Sequence, residues 1–219
     1  MRFYHSLKII IPGVSLLLSA CHRDKPARNT FFVDGVEWST YNLDGVVYAN
    51  GDSIPYIEDT LLWKSTKEGA WCYYENQRVD EYGKLYNGYA ITDSRGLCPQ
   101  GWHVATKEEW NALVRKFGGD SAAAHALKKT MYWKGVDMSG QNKSGFSALP
   151  AGNRTIYGTF NGRTNSGVFW TGSEADSGKV WTRYINRLHN RVGEKAGDKT
   201  NGLSCRCVKD RPNSRQNPN

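Results

Sequence analysis

The chain has 219 residues, enough for one domain with a sizeable hydrophobic core but a tight fit for two. Large rings and glycine are abundant, with 8 Trp, 12 Tyr and 23 Gly. This composition favours short strands and loops packed around aromatic side chains and argues against a helical bundle. The formal net charge of +8 is consistent with a solvated basic face, or with anionic glycans or lipid head groups as partners.

The first residues have the pattern of an export signal. Residues 1–20 begin with the basic Arg2 and Lys8 and continue with an apolar run, residues 9–18, that is too short to span a bilayer. The following Leu-Ser-Ala-Cys, ending at Cys21, resembles the bacterial lipobox. The resemblance implies a lipoprotein signal peptide at residues 1–20 and a lipid on the Cys21 thiol. The alternative is an ordinary secretory signal that happens to end near a cysteine.

Export determines how the rest of the chain is interpreted. We predict a lipid-anchored protein of the cell envelope, at the outer membrane or cell surface rather than the inner membrane. Such a protein meets no chromosomal DNA, so we expect no nucleic-acid partner. Residues 21–29 are polar and contain Pro26, which predicts a tether. Residues 211–219 are polar with two prolines, which predicts a disordered tail after a domain at 30–210.

The first part of the domain contains turn signals and aromatic residues. Residues 31–38 predict a β-hairpin, since Asp34-Gly35 supplies the two positive-φ positions of a tight turn. Residues 50–69 have the composition of a loop, and an aromatic strand is predicted around residues 71–74. Tyr82, Tyr86 and Tyr89 are spaced so that they would line one side of a short helix.

The strongest local signal is a helix that starts after a short strand at residues 101–104. Thr106 and Glu109 form a capping box, in which each side chain satisfies a free backbone amide of the first turn. An apolar face follows at helical spacing up to residue 117, and two glycines end the helix. A second helix is predicted at residues 121–129. Short strands are predicted at residues 145–149, 169–171, 179–186 and 202–208.

Five cysteines suit an exported protein. With Cys21 lipidated, an even number of cysteines remains: Cys72, Cys98, Cys205 and Cys207. Four cysteines allow three sets of disulfide pairings. Zinc binding is disfavoured because one residue separates Cys205 from Cys207, fewer than the usual two to four. In a strand these two side chains would project to the same face.

Six segments, in order, carry a resemblance to a known family. They are residues 82–87, 96–104 running into Glu109-Trp110, 144–152, 169–174, 181–184 and 202–208. Together they resemble the Fibrobacter succinogenes major paralogous domain over nearly the whole mature chain. The resemblance implies an α+β, C-type-lectin-like fold with short twisted antiparallel strands, two helices and long loops. It also implies an exported protein of a family without an established activity.

The resemblance has consequences for the cysteines. By similarity to C-type-lectin-like domains, Cys98 and Cys207 are expected to pair across the domain. Cys72 and Cys205 then remain, and we predict that they pair with each other. The alternative is a Cys72–Cys98 bond, which would leave Cys205 and Cys207 on one strand at a spacing that strains a disulfide.

The sequence offers little support for an enzyme. His103 lies in a predicted strand, where a packed or hydrogen-bonded role is the usual one. We find no phosphate-binding loop and no nucleophile elbow, and we expect no catalytic residue, cofactor or metal. The remote alternative is an oxidase like the formylglycine-generating enzyme, which needs two paired thiols, and Cys205 with Cys207 is the only close pair.

Recognition is the function that the loops favour. Residues 137–167 contain amides, guanidinium groups and rings, which pair with sugar hydroxyls or stack on a sugar face. We hypothesise that Asn153, Arg154, Tyr157 and Arg163 bind a glycan. The alternative is a structural or adhesive surface protein that binds another envelope protein. Calcium is weakly signalled, because the Glu-Pro-Asn and Trp-Asn-Asp elements of calcium-dependent lectins are missing.

Overall fold

The computed structural model describes residues 30–135, 142–187 and 191–211. Its helices are α1 (Thr60–Ser65), α2 (Gly88–Ile91), α3 (Lys107–Lys116) and α4 (Gly119–Leu127). Its strands are β1 (Thr30–Val33), β2 (Val36–Ser39), β3 (Trp71–Cys72), β4 (Leu85–Asn87), β5 (Trp102–Val104), β6 (Ala151–Arg154), β7 (Phe160–Arg163), β8 (Ser166–Asp176), β9 (Lys179–Asn186), β10 (Val192–Asp198), β11 (Gly202–Leu203) and β12 (Cys207–Lys209). The predicted signal peptide, Cys21, the tether and tail residues 212–219 lie outside the described residues.

The strands form two sheets. The smaller has the order β1-β2-β12-β5, with antiparallel pairs throughout. The larger has the order β10-β9-β8-β6-β11-β4-β3, with β7 also paired to β6, and its β6–β8 contact is parallel. Helices beside mostly antiparallel strands confirm the predicted α+β class, whereas the C-type-lectin-like fold stays a prediction. None of the helices in the described ranges is long and apolar enough to cross a membrane.

The N-terminal hairpin is confirmed. Strands β1 and β2 pair in register with Val33 opposite Val36. The two turn residues, Asp34 and Gly35, have φ angles of 47° and 78°, as a tight hairpin turn requires. The hairpin contributes Trp38 to the core, where its ring makes edge contacts with Trp110 and Phe146.

The capping box at the start of α3 is confirmed as well. The Thr106 side chain accepts a hydrogen bond from the Glu109 amide, and the Glu109 carboxylate accepts one from the Thr106 amide. The helix buries Trp110 and Leu113 on its apolar face, and Gly118 ends it with a φ of 87°. Helix α4 follows directly and occupies residues 119–127, two residues earlier than predicted at each end.

Four sequence-based expectations about local structure were wrong. Helix α1 forms in the predicted loop, since Asp59 caps it and Trp63 is buried. Residues 82–89 form no single helix, because Tyr86 lies in β4 opposite Leu203, and sheet pairing overrides the helical spacing. Residues 145–149 make only one isolated bridge, at Ala148. Residues 202–208 split into β11 and β12, since the chain passes from one sheet to the other at residues 204–206.

Candidate functional site

Arg154, one of the predicted glycan-binding residues, is buried and not available to a ligand. Its side chain is fully buried, and its guanidinium donates to the carbonyl oxygens of Ile57 (2.8 Å), Glu58 (2.8 Å) and Gly158 (3.1 Å). The guanidinium carbon also lies 4.5 Å from the centre of the Trp63 ring. The hypothesis that Arg154 contacts a ligand is therefore wrong, because every side of this group is used inside the fold.

Arg163 occupies a different environment. It ends β7, is half-buried, and its guanidinium carbon lies 5.0 Å from the centre of the Tyr82 ring and 5.6 Å from that of Tyr74. The narrow cleft around it, which we call the tyrosine cleft, has a cavity volume of only about 10 Å³, room for about one water molecule, and is partly open to solvent. The cleft is lined by Tyr74, Gln77, Val79, Tyr82, Gly83, Leu85, Ala151 and Arg163.

Backbone geometry brings the two walls of the cleft together. Tyr74 follows β3 and is succeeded by two residues with positive φ, Glu75 at 52° and Asn76 at 56°, which turn the chain sharply. On the other wall, Gly152 has a φ of 71°, and a Cβ atom there would lie 2.6 Å from a ring atom of Tyr74 and 2.7 Å from the backbone nitrogen of Arg163. Only glycine permits this approach.

The charge of Arg163 has no partner among the described residues. Among the described residues its guanidinium forms no ion pair and donates no hydrogen bond, although it carries five N–H donors. Burial raises the pKa of the Tyr74 hydroxyl, a shift to which the exposed Glu75 adds, so this ring stays neutral. The cleft therefore presents a cation held between two rings and open to an anionic group.

The remaining two predicted ligand residues do not join this cleft. Asn153 is half-buried in β6, directly opposite Asn161. Tyr157 is 69% exposed at the tip of the β6–β7 turn. It lies in what we call the apolar corner, Leu61, Leu62, Ile156 and Tyr157, whose helix and turn meet where Gly158 approaches Thr60.

Of the eight residues that line the tyrosine cleft, sequence reasoning identified only Arg163 as a ligand residue, and the seven that it missed include Tyr74, Gln77 and Tyr82. Tyr74 was assigned to a strand, Gln77 to no element and Tyr82 to a helix. Aromatic and amide residues between Cys72 and Gly83 carried the signal, but only the pairing of β6 with β7 shows that this segment faces Arg163. The contact joins positions about ninety residues apart.

One predicted disulfide is confirmed and the other is wrong. Cys98 and Cys207 are bonded, with Cα atoms 6.0 Å apart, whereas Cys72 and Cys205 are free and buried. Cys72 packs in a separate core cluster, so it cannot reach Cys205, which lies beside the existing disulfide. With Cys207 bonded to Cys98, the close pair is not the free dithiol that a formylglycine-generating-type oxidase needs.

His103 has the hydrogen-bonded role that was expected. Its Nδ1 lies 2.6 Å from the Asp210 carboxylate, and its Nε2 lies 3.1 Å from both oxygens of Glu109. These bonds, chiefly that to Glu109, raise the pKa of His103 to about 9. The imidazolium therefore links the capping box of α3 to the end of β12 and has no free nitrogen for catalysis.

Comparison with known proteins identifies a family for this chain. The model of the Fibrobacter succinogenes major domain matches residues 33–209, which is most of the chain. The match includes every strand of both sheets except residues 30–32 of β1. No curated protein and no solved structure matches the chain. The resemblance seen in the sequence motifs is confirmed, and the chain belongs to the Fibrobacter succinogenes major domain family.

Proposed function

We propose that this protein is an exported, lipid-anchored recognition module of the cell envelope, non-enzymatic, which binds an acidic extracellular glycan through the tyrosine cleft. The observation that carries the proposal is Arg163, a half-buried cation flanked by two tyrosine rings with no protein acceptor among the described residues. A carboxylate or sulfate group on a sugar supplies the missing acceptor.

The chemistry of the cleft suits such a ligand. A guanidinium binds a carboxylate through two parallel hydrogen bonds, and these charge-assisted bonds are shorter and stronger than neutral ones. The rings of Tyr74 and Tyr82 flank the Arg163 guanidinium and restrict its motion, which lowers the entropy lost on binding. Because the cleft has room for little more than one water molecule, we expect the acidic substituent to bind at its mouth, where the exposed Gln77 amide can hydrogen-bond to sugar hydroxyls.

The proposal is tested by binding to a polyuronate and to its neutral counterpart, measured by calorimetry at fixed salt. Losing a charge-assisted bidentate contact costs about 1.5–3 kcal/mol, so Arg163→Ala should weaken polyuronate binding roughly 10- to 100-fold. Arg78→Ala is the matched control: it removes the same charge from an exposed residue already paired with Asp80. Equal losses in both variants would mean non-specific attraction and would reject the site.

The anchor is tested separately, because Cys21 lies outside the described residues. We expect the natural protein to incorporate labelled palmitate and to fractionate with membranes, and Cys21→Ala to abolish both. A Cys21→Ala protein that still labels and sediments with membranes would contradict the lipobox interpretation.

A second candidate function, binding to another envelope protein, has support from the apolar corner. Leu61 is 73% exposed and Tyr157 is 69% exposed, and the segments that carry these large apolar side chains meet where Gly158 approaches Thr60. Arg154 joins the segment that leads into α1 to the β6–β7 turn, through the carbonyl oxygens of Glu58 and Gly158. If this candidate is right, Leu61→Asp should abolish capture of a defined partner from envelope extract and leave glycan-array binding unchanged, whereas Arg163→Ala should do the reverse.

A further inference from the structure

Three cysteine sulfur atoms lie together in the core. The Sγ atoms of Cys98, Cys205 and Cys207 are all within 4.8 Å of one another, and all three residues are buried. Cys98 and Cys207 are bonded, and Cys205 is a free thiol beside that bond. A third sulfur this close to a disulfide is a candidate for thiol–disulfide exchange, in which a thiolate attacks one bonded sulfur along the S–S axis. With all three Sγ atoms within 4.8 Å of one another, that alignment is reached only when the segment around Cys205 moves.

The residue between the two neighbouring cysteines explains why both face Cys98. The Arg206 side chain points away from the sulfurs, and its guanidinium donates to the Ser39 carbonyl (3.0 Å), the Phe146 carbonyl (2.7 Å) and the Ser147 carbonyl (2.9 Å). In an extended segment, the side chains before and after it then project to the opposite side. The buried Arg206 therefore orients both cysteines toward the same partner.

We propose that Cys98 exchanges its disulfide partner between Cys207 and Cys205, so that the chain holds two isomeric disulfides that tie the same loop to the segment joining the two sheets. The Cys205 thiol gives its proton to solvent base, and the resulting thiolate attacks the Sγ of Cys98. A Cys98–Cys205 bond forms, the Cys98–Cys207 bond breaks, and Cys207 leaves as a thiolate that takes up a proton. One disulfide and one thiol are present before and after, so no oxidant or reductant is consumed.

The two isomers constrain the unfolded chain almost equally. The present bond joins residues 109 apart in sequence, and a bond to Cys205 shortens that loop by only two residues. Burial raises the pKa of the Cys205 thiol, so its thiolate is scarce and exchange proceeds when the segment around β12 opens or while the chain folds. Either pairing then closes the loop productively during oxidative folding in the envelope.

Peptide mapping separates the isomers, because trypsin cleaves after Arg206 and places Cys205 and Cys207 in different peptides. The folded protein is equilibrated with reduced and oxidised glutathione at pH 8, quenched with acid, alkylated and digested without reduction. We expect a minor but measurable Cys98–Cys205 peptide in the natural protein. We also expect Cys207→Ser to convert this crosslink into the main species, with a thermal midpoint close to that of Cys205→Ser.

Cys72 is the internal control, because it is also free and buried but packs in a different cluster. It should form no crosslink to Cys98 in any variant, and Cys98→Ser should have no intramolecular crosslink at all. A folded Cys207→Ser protein in which Cys98 and Cys205 both alkylate would overturn the proposal. If that variant does not fold, the natural protein decides: absence of the Cys98–Cys205 peptide after equilibration rejects the exchange.

Discussion

Two arginines on the same β-hairpin, Arg154 and Arg163, are expected to respond oppositely to truncation. Arg154 is fully buried and donates to three backbone carbonyls, whereas Arg163 is half-buried and donates to no described residue. Arg154→Ala should therefore lower the free energy of unfolding, and Arg163→Ala should leave it nearly unchanged while weakening ligand binding.

The size of the Arg154 effect follows from its partners. Each carbonyl left without a donor in a buried site costs about 1–3 kcal/mol. Arg154→Ala removes the three hydrogen bonds to these carbonyls and the packing of the guanidinium against Trp63. It also removes the cost of burying a charge, which opposed folding in the natural protein. We expect a net loss on the order of 4 kcal/mol, which for a domain of this size lowers the thermal midpoint by roughly 8–16 °C.

Urea unfolding followed by tryptophan fluorescence measures this loss, since Trp63 lies against the guanidinium. Arg163→Ala, which changes the charge equally, is the control and should shift stability by less than about 0.5 kcal/mol. Arg154→Lys should lie close to Arg154→Ala, because an ammonium cannot donate along the three directions of the guanidinium. A loss below about 1 kcal/mol in Arg154→Ala would refute the structural role assigned to this residue.

Three further predictions concern elements that hold the fold. Folding raises the pKa of His103 to about 9, so the contribution of His103 to the free energy of unfolding is complete below pH 6.5 and is lost as the pH rises through about 9. In His103→Gln, this pH dependence of the urea midpoint should disappear. Thr106→Ala removes the cap of α3 and should cost about 1 kcal/mol by thermal unfolding, whereas an unchanged midpoint would contradict the cap. Cys98→Ser removes any cross-domain disulfide, and the chain-entropy model predicts that it lowers the free energy of unfolding by about 5 kcal/mol. A loss under about 1 kcal/mol would mean that the bond to Cys207 does not constrain the unfolded chain.

The tyrosine cleft and the apolar corner are two separate candidate binding surfaces that suit different ligands. The cleft presents a guanidinium that is flanked by two rings and has no acceptor among the described residues, and the corner presents exposed apolar side chains. We expect substitutions in one to leave the other intact, so that glycan binding and protein binding can be assigned to their surfaces independently. Tyr157, predicted as a sugar-stacking ring, belongs to the second face.

Local sequence determined the parts of this protein whose contacts are close in the chain. The Asp34-Gly35 turn and the Thr106–Glu109 capping box formed as predicted, because their hydrogen bonds join residues at most a few positions apart. The motif order indicated the family, and the α+β class was expected through that resemblance. The Cys98–Cys207 bond was expected only through that resemblance and is confirmed.

Tertiary structure alone decided the candidate site. Arg154 and Arg163 look alike in the sequence, nine residues apart, and nothing local indicates that one meets the carbonyls of residues 57 and 58 while the other meets two tyrosines. The same holds for Cys72 and Cys205, which are kept apart by packing in separate clusters. Which side chains are buried and which remain available to a ligand depends on contacts between distant segments, because pairing and packing across the sheets, not residue type, set the environment of each group.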